Sequence, residues 1–199
     1  MNTTSSAVSP SPLLSSHELS SATHYLNSTR DSLLELLSGL SDRQWHFKPA
    51  DDRWSIAEIL EHIVLIEASV QAIIGQMQDA PLSEPDRINS EMDEIILAQV
   101  PKRSTKAQAP PQACPSHRWS PAETLARFVE GRTRTLQLLV DAPFLRGRVI
   151  PHPILGPWDG YQWILAAAAH GARHTDQMLE VKACPGFPEA HAASPVSLN

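Results

Sequence analysis

The sequence predicts an all-α protein, a four-helix bundle with a long crossover between its second and third helices. Apolar residues recur with a period close to 3.6 in four long stretches. Each stretch begins at a serine or an aspartate, residues that commonly cap helices. The chain also lacks the short turn sequences, flanked by alternating apolar residues, that are typical of β-hairpins. Helices packed against helices are therefore expected, and four of this length favour a bundle.

The first two helices are predicted from capping boxes, in which a serine is followed three residues later by a glutamate. These pairs are Ser15 with Glu18 and Ser55 with Glu58. The first helix should end near Gly39, since glycine is common just after a helix C-terminus. The second should span about residues 56–78 and end before Pro81.

The last two helices have equally clear beginnings. Ser120 is followed by a proline at the first helical position and by Glu123 at the third, which predicts a helix to about residue 140. Asp159 is the expected cap of a helix over about residues 160–183. Residues 79–119 form the crossover, with a short helix within 84–99 and a proline-rich remainder. A second proline-rich loop is expected around residues 151–157.

The chain of 199 residues is long enough for one full-sized core. Residues 1–16 are rich in serine, threonine and proline and are expected to be a disordered lead. The bundle domain is expected to cover residues 17–184, and residues 185–199 are expected to be a mobile tail.

Composition excludes several classes of protein. The formal net charge of −6 makes nucleic-acid binding unfavourable, because phosphate contacts require clustered basic residues. The densest basic group consists of Arg127, Arg132 and Arg134, which we interpret as the solvated side of one helix. No stretch of about 18 apolar residues is present, so no membrane span is expected. The N-terminus lacks the features of a secretory signal, and a cytoplasmic location is expected.

Any metal in this protein must be held by histidine. The two cysteines, Cys114 and Cys184, are too far apart in sequence for a thiolate zinc motif, and a disulfide framework is not expected. The chain has nine histidines, and three of them, His62, His170 and His174, lie within predicted helices among apolar neighbours. The others lie on the first helix, in loops or at element ends and receive no ligand role: His17, His24, His46, His117, His152 and His191.

Spacing makes His62, His170 and His174 a candidate metal centre. His170 and His174 are four residues apart and share one helix face, so their imidazoles can bind one ion. His62 lies at the edge of the apolar stripe of the second helix and can face the same region. Three neutral imidazoles would leave an open coordination position, which is typical of a catalytic site. Spacing alone is equally compatible with surface histidines or hydrogen-bonded core histidines.

Other familiar sites are excluded. Di-iron bundle proteins require Glu-x-x-His pairs, and none of the three histidines has an acidic residue three positions before it. The zincin motif His-Glu-x-x-His, the nucleophile elbow, the Walker phosphate loop and the dinucleotide fingerprint are also absent from the sequence.

Two separated segments resemble the DinB/YfiT-type metalloenzyme superfamily. Residues 47–62, FKPADDRWSIAEILEH, resemble the opening of the second helix of DinB-like proteins. The resemblance is stronger in the second segment, a C-terminal stretch that includes residues 152–163, HPILGPWDGYQW, and residues 170–177, HGARHTDQ. It extends over about residues 17–188, with the two segments in the family's order.

The resemblance implies a four-helix bundle with one divalent metal held by His62, His170 and His174. Zinc or nickel is the leading expectation, with manganese, cobalt and iron as the other candidates. The family commonly forms homodimers, and its characterised members include enzymes that use a low-molecular-weight thiol. The implied function is therefore a metal-dependent S-transferase or hydrolase acting on a small molecule. The alternative is a non-catalytic bundle that binds a metal or another ligand as a homodimer.

Two residues near the candidate ligands are candidate catalytic residues. Gln177 lies one turn after His174 and can hydrogen-bond a ligand or a substrate, although a surface position is equally consistent with the sequence. Arg173 can pair with an anionic substrate group or form a structural salt bridge. Glu58 can orient an imidazole, but its capping role with Ser55 already accounts for it.

Overall fold

The computed structural model describes residues 13–84, 89–104, 108–142 and 144–189. These residues form six α-helices, two short 3₁₀-helices and one small antiparallel hairpin. The helices are α1 (Ser16–Leu37), α2 (Asp42–His46), α3 (Ile56–Gln76), α4 (Asn89–Gln99), α5 (Pro121–Asp141) and α6 (Gly160–Lys182). The strands are β1 (Ile150–His152) and β2 (Gly156–Trp158), and the 3₁₀-helices are Met77–Asp79 and Pro111–Ala113.

The four long helices begin where the sequence predicts. Each has a complete capping box, in which the cap side chain accepts the third backbone N–H and the third side chain accepts the cap N–H. The caps are Ser15, Ser55, Ser120 and Asp159. Gly39 follows the end of α1 with φ of +72°, a conformation that favours glycine. The all-α prediction and the four principal helices are confirmed.

Helices α1, α3, α5 and α6 form the bundle, with α6 packed between α1 and α3 and with α5 against α3. The core has two apolar clusters, and α6 contributes to both. The alanine run of α6, residues 166–169, is buried, as expected for a close helix–helix contact. No described helix has the length and apolar character needed to cross a membrane.

The two remaining helices, α2 and α4, are short and are harder to locate from sequence patterns. α2 lies in a stretch that the sequence indicates only as a connector, although Ser41 caps it with its own capping box. α4 begins at Asn89, within the range expected for a short helix, and Ile96 anchors it in the core. Residues 85–88, including Pro85, lie outside the described residues.

The proline-rich loop after α5 contains a hairpin, which the sequence did not predict. β1 pairs with β2, and Pro151 lies directly opposite Pro157. Two prolines can face each other at a non-hydrogen-bonded pair, where neither residue has to donate a backbone N–H. Gly156 has φ of +83°, which allows the chain to return over this short distance.

The predicted terminal segments are only partly described. α1 begins at Ser16, and residues 1–12 of the expected lead lie outside the described residues. At the other end, Phe187 packs edge-on against Phe47 at 5.5 Å between ring centroids. The amide of Gln44 donates to the Pro188 carbonyl at 3.0 Å. Contacts with the bundle therefore continue past residue 184, and residues 190–199 of the expected mobile tail lie outside the described part.

Arg132 corrects the interpretation of the basic group on α5. Arg127 and Arg134 are exposed, but Arg132 has no exposed surface. Its guanidinium donates to both carboxylate oxygens of Glu67 on α3, at 2.8 and 3.1 Å. It also donates to the Leu26 carbonyl and the Thr29 hydroxyl of α1. A buried arginine is tolerated here because carboxylate, carbonyl and hydroxyl oxygens surround it.

Arg132→Met should lower the free energy of unfolding by about 3–5 kcal/mol, because it leaves the Glu67 carboxylate buried without its cation. Urea unfolding followed by circular dichroism measures this change. Arg134→Met, on the exposed side of the same helix, should change stability by no more than about 0.5 kcal/mol. Equal losses from the two variants would contradict the assigned role of Arg132.

A second cationic centre joins the N-terminus of α1 to the start of α6. Arg146, which is nearly buried, contacts Glu18 and Asp93 at 2.6 Å each and Asp159 at 2.7 Å. Partial burial acts to raise the pKa of Glu18, but hydrogen bonds from Ser15 and Arg146 outweigh it and hold this pKa below its ordinary value.

Glu18→Gln should lower stability at pH 7 by about 1 kcal/mol, because it removes the charge that faces Arg146. The folded-state pKa of Glu18 is lowered, so its contribution is present above the unfolded pKa and is lost as pH falls through the folded value. The difference between variant and wild type should thus be constant above about pH 5.5 and narrow below about pH 4.5. Urea unfolding across this range tests it.

Glu123→Gln is the matched control, because Glu123 has the same capping-box position in α5 but is exposed and has no buried arginine beside it. An equal effect of the two substitutions would show that capping, rather than Arg146, accounts for the contribution of Glu18.

Candidate metal centre

The structure brings together the three histidines that the sequence singles out. His62 lies in the second turn of α3, and His170 and His174 lie one turn apart in α6. α3 packs directly on α6, so the inward edge of one helix faces the inward edge of the other. His62 and His174 are buried, and His170 is partly exposed.

The three imidazoles converge through their Nε2 atoms. Nε2 of His170 lies 3.1 Å from Nε2 of His62 and 3.0 Å from Nε2 of His174. The ring centroids are 4.3–4.9 Å apart. Within the described residues, this is the group of histidine, cysteine or carboxylate side chains with the geometry to hold a metal ion.

Hydrogen bonds at the opposite ring nitrogens fix two of the imidazoles. Nδ1 of His62 donates to the Ala113 carbonyl at 2.7 Å. Nδ1 of His174 donates to Oε1 of Gln177 at 2.8 Å. Oε1 of Gln177 also accepts from Arg103 at 3.1 Å, which establishes that the amide presents its oxygen and not its nitrogen. Each neutral ring therefore carries its proton on Nδ1 and directs the lone pair of Nε2 inward.

The environment keeps these histidines neutral. Burial lowers the pKa of His62, and the hydrogen bond to Ala113 only partly opposes this effect. Burial and the neighbouring His62 lower the pKa of His174 to about 3. Burial, followed by the charges of His174 and His62, lowers the pKa of His170 well below its ordinary value. Neutral imidazoles are the form that binds metal ions.

The donor set fits a metal ion. Nε2 of His170 lies 3.0–3.1 Å from the inward-directed Nε2 atoms of His62 and His174, so the three nitrogens can turn toward one ion. Nitrogen ligands about 2.0–2.1 Å from a tetrahedral zinc ion lie about 3.3–3.4 Å from one another, close to the two separations that involve His170. All three ligand atoms lie within 4.8 Å of one another. Three protein ligands would leave one coordination position for water or substrate.

The crossover contributes to this centre, which the sequence did not reveal. Its 3₁₀-helix carries Ala113, whose carbonyl holds His62, and Arg103 holds Gln177. Glu61, next to His62, accepts the backbone N–H groups of Ser116 and His117. A backbone carbonyl has no residue-type signature, and Arg103 lies in an irregular stretch. Glu61 could have been found only as a carboxylate directly beside a candidate ligand in the sequence.

The two candidate catalytic residues have different positions. Gln177 accepts a hydrogen bond from His174, and a ligand contact is one of the two positions that the sequence left open. Arg173 is half-buried, and partial burial and the charge of Arg103 lower its pKa, whereas Glu180 opposes the shift. Their catalytic roles stay predictions. Glu58 caps α3 and pairs with Lys48 at 3.1 Å, as its capping role requires.

An open cavity of about 510 Å³ lies in the crossover and is lined by Gln108, Ala109, Pro111 and Cys114. None of the three histidines belongs to this lining. The candidate centre is therefore defined by the convergence of its donors and not by the shape of a cavity.

The site class is thus a helical bundle with three converging histidines, two of them oriented by hydrogen bonds, that could hold a metal ion. The family model of the DinB superfamily matches residues 25–178 of this chain. The chain belongs to the DinB superfamily, as the resemblance of its two segments indicated.

Three known proteins are similar to this chain. The chain is 31% identical over 151 residues to the uncharacterized protein YuaE of Bacillus subtilis. This match covers 73% of this chain and 88% of YuaE. It superposes on YfiT from Bacillus subtilis, described as a probable metal-dependent hydrolase with an unusual four-helix bundle topology. That match has a TM-score of 0.56 and 14% identity, and covers 88% of this chain and 91% of YfiT.

The third protein is TT2238, a four-helix bundle protein. Its TM-score is 0.53 with 19% identity, over 81% of this chain and 98% of that chain. At these identities, the two structural matches establish the four-helix bundle fold.

Proposed function

We propose that this protein is a metal-dependent enzyme that acts on a small molecule, with one divalent ion held by His62, His170 and His174. The convergence of Nε2 atoms at 3.0–3.1 Å carries this proposal. Zinc or nickel is the proposed metal, with manganese, cobalt and iron as the other candidates. The membership of the DinB superfamily supports the proposal.

A divalent ion with three neutral ligands supplies Lewis acidity that lowers the pKa of a bound water or thiol, so that a nucleophile exists at neutral pH. The protein supplies the arrangement around it. Ala113 and Gln177 keep the Nε2 lone pairs of His62 and His174 directed inward. The Trp54 ring packs against His62 at 4.9 Å between centroids and shields one side of this imidazole from water. Arg173, next to His174, is the proposed partner of an anionic substrate group.

Two reactions use such a nucleophile. A bound water would make the protein a hydrolase, and the likeness to YfiT, a probable metal-dependent hydrolase, supports this branch. A bound low-molecular-weight thiol would make it an S-transferase, as the family resemblance implied. A small-molecule substrate and a homodimeric state are part of the same proposal. The alternative is a non-catalytic bundle that binds a metal or another ligand.

Protein produced without a histidine tag and loaded with Zn²⁺ should contain about one ion per chain, because three neutral imidazoles converge on one point. His170→Ala should remove most of the bound metal, since this imidazole neighbours both others. Metal content after desalting is measured by mass spectrometry. His46→Ala is the control, because His46 is exposed on α2 and lies outside the centre. Wild-type protein without stoichiometric metal after loading would contradict the proposed function.

The metal-loaded protein should accelerate either ester and amide hydrolysis without thiol, or transfer of an added thiol to an electrophilic substrate. Turnover should fall at least 100-fold in His170→Ala, because the nucleophile depends on the bound ion. Parallel assays with and without low-molecular-weight thiols separate the hydrolase from the S-transferase. Full metal occupancy without turnover in either assay would favour the non-catalytic alternative.

A further inference from the structure

Glu61 is a buried carboxylate with an unusual set of partners. It lies on α3 immediately before His62, and only 3% of its surface is exposed. Its Oε1 accepts the backbone N–H of Ser116 at 3.0 Å, and its Oε2 accepts that of His117 at 2.9 Å. Arg118 lies 3.8 Å from the same carboxylate. A carboxylate removed from water is retained here by the backbone of the crossover.

The segment that Glu61 holds also carries the acceptor for His62. The 3₁₀-helix ends at Ala113, three residues before Ser116, and the Ala113 carbonyl accepts from Nδ1 of His62 at 2.7 Å. α3 is thus joined to the crossover by two adjacent residues, one through a carboxylate and one through an imidazole.

The crossover needs such an anchor at this point. His117 has φ of +55°, in the left-handed region that residues other than glycine rarely adopt. The N–H of His117 and the N–H of the preceding Ser116 both donate to the carboxylate of Glu61 at this point of the chain. The two charge-assisted hydrogen bonds stabilise a backbone shape that the residue type alone does not favour.

We propose that Glu61 is a positioning residue for the metal centre. It fixes the crossover backbone at residues 116–117, and the crossover in turn fixes the Ala113 carbonyl that selects the Nδ1-protonated form of His62. The expected effect of Glu61 on metal affinity rests on the proposed function. The expected effect on the protonation of the His62 ring does not, because it is measured in metal-free protein.

The test uses Glu61→Gln in the full chain. The amide retains one acceptor oxygen but presents an NH₂ group to the second backbone N–H, so the anchor is lost with little change in volume. In metal-free protein near pH 8, the nitrogen chemical shifts of His62 should show Nδ1 protonation in wild type. In Glu61→Gln, they should shift toward a mixture of both tautomers. Exchange of the Ser116 and His117 amides should become at least 10-fold faster.

In loaded protein, chelator competition should show about 10- to 100-fold weaker metal binding for Glu61→Gln. The Co²⁺-loaded variant should also have an altered visible absorption spectrum, because the orientation of one ligand changes.

Asp159→Asn is the matched control. Asp159 is another buried carboxylate that accepts a backbone N–H, from Gln162, but it lies at the N-terminus of α6 and contacts Arg146. The Asp159→Asn substitution should lower the free energy of unfolding while leaving the His62 tautomer and the metal affinity unchanged. Urea unfolding of both variants separates loss of stability from loss of positioning, and Glu61→Ala provides a second variant should Glu61→Gln fail to fold.

An unchanged His62 tautomer in folded Glu61→Gln would overturn the proposal, as would a change of the same size in Asp159→Asn. Wild-type protein that binds no metal would contradict the proposed function, while the tautomer measurement would still decide the role of Glu61.

Discussion

The pairing of Arg132 with Glu67 is the interaction on which the bundle depends. It connects α5 to α3, and the same guanidinium donates to Leu26 and Thr29 of α1. The fourth helix, α6, packs against the same guanidinium at Gly171. A Cβ atom at this position would lie only 3.4 Å from Nη2 of Arg132. All four bundle helices therefore meet at one cation. A buried charge without its partners is costly, so this site favours a single arrangement of the helices.

This constraint acts beside the candidate metal centre. Gly171 directly follows His170 in α6, and Glu67 lies five residues after His62 in α3. The two helices that carry the candidate ligands are thus fixed relative to each other little more than one turn away. The distance of 3.1 Å between Nε2 of His62 and Nε2 of His170 depends on that spacing. Because a closely packed interior resists small adjustments, the Arg132–Glu67 pair is important for the distance between the two imidazoles.

Sequence patterns predicted the parts of this molecule that depend on local chemistry. Capping boxes at Ser15, Ser55 and Ser120 mark helix starts because their hydrogen bonds span only three residues. The spacing of His170 and His174 likewise follows from one helical turn. Arg132 was misinterpreted because its partners lie 65 and more residues away along the chain. The hairpin was missed because prolines conceal a strand, and the Ala113 carbonyl because any residue provides one.

The geometry of the candidate centre depends both on local helix spacing and on contacts between residues that are distant along the chain. Helix geometry places the imidazoles near one another, but it does not determine which nitrogen of each ring faces inward. That choice depends on the acceptor at Nδ1, which is the Ala113 carbonyl for His62 and Gln177 for His174. Both acceptors depend on the crossover, since Ala113 belongs to it and Gln177 is held by Arg103. A segment that resembles a long irregular linker in sequence is therefore part of the centre, because it provides one acceptor directly and holds the other in place.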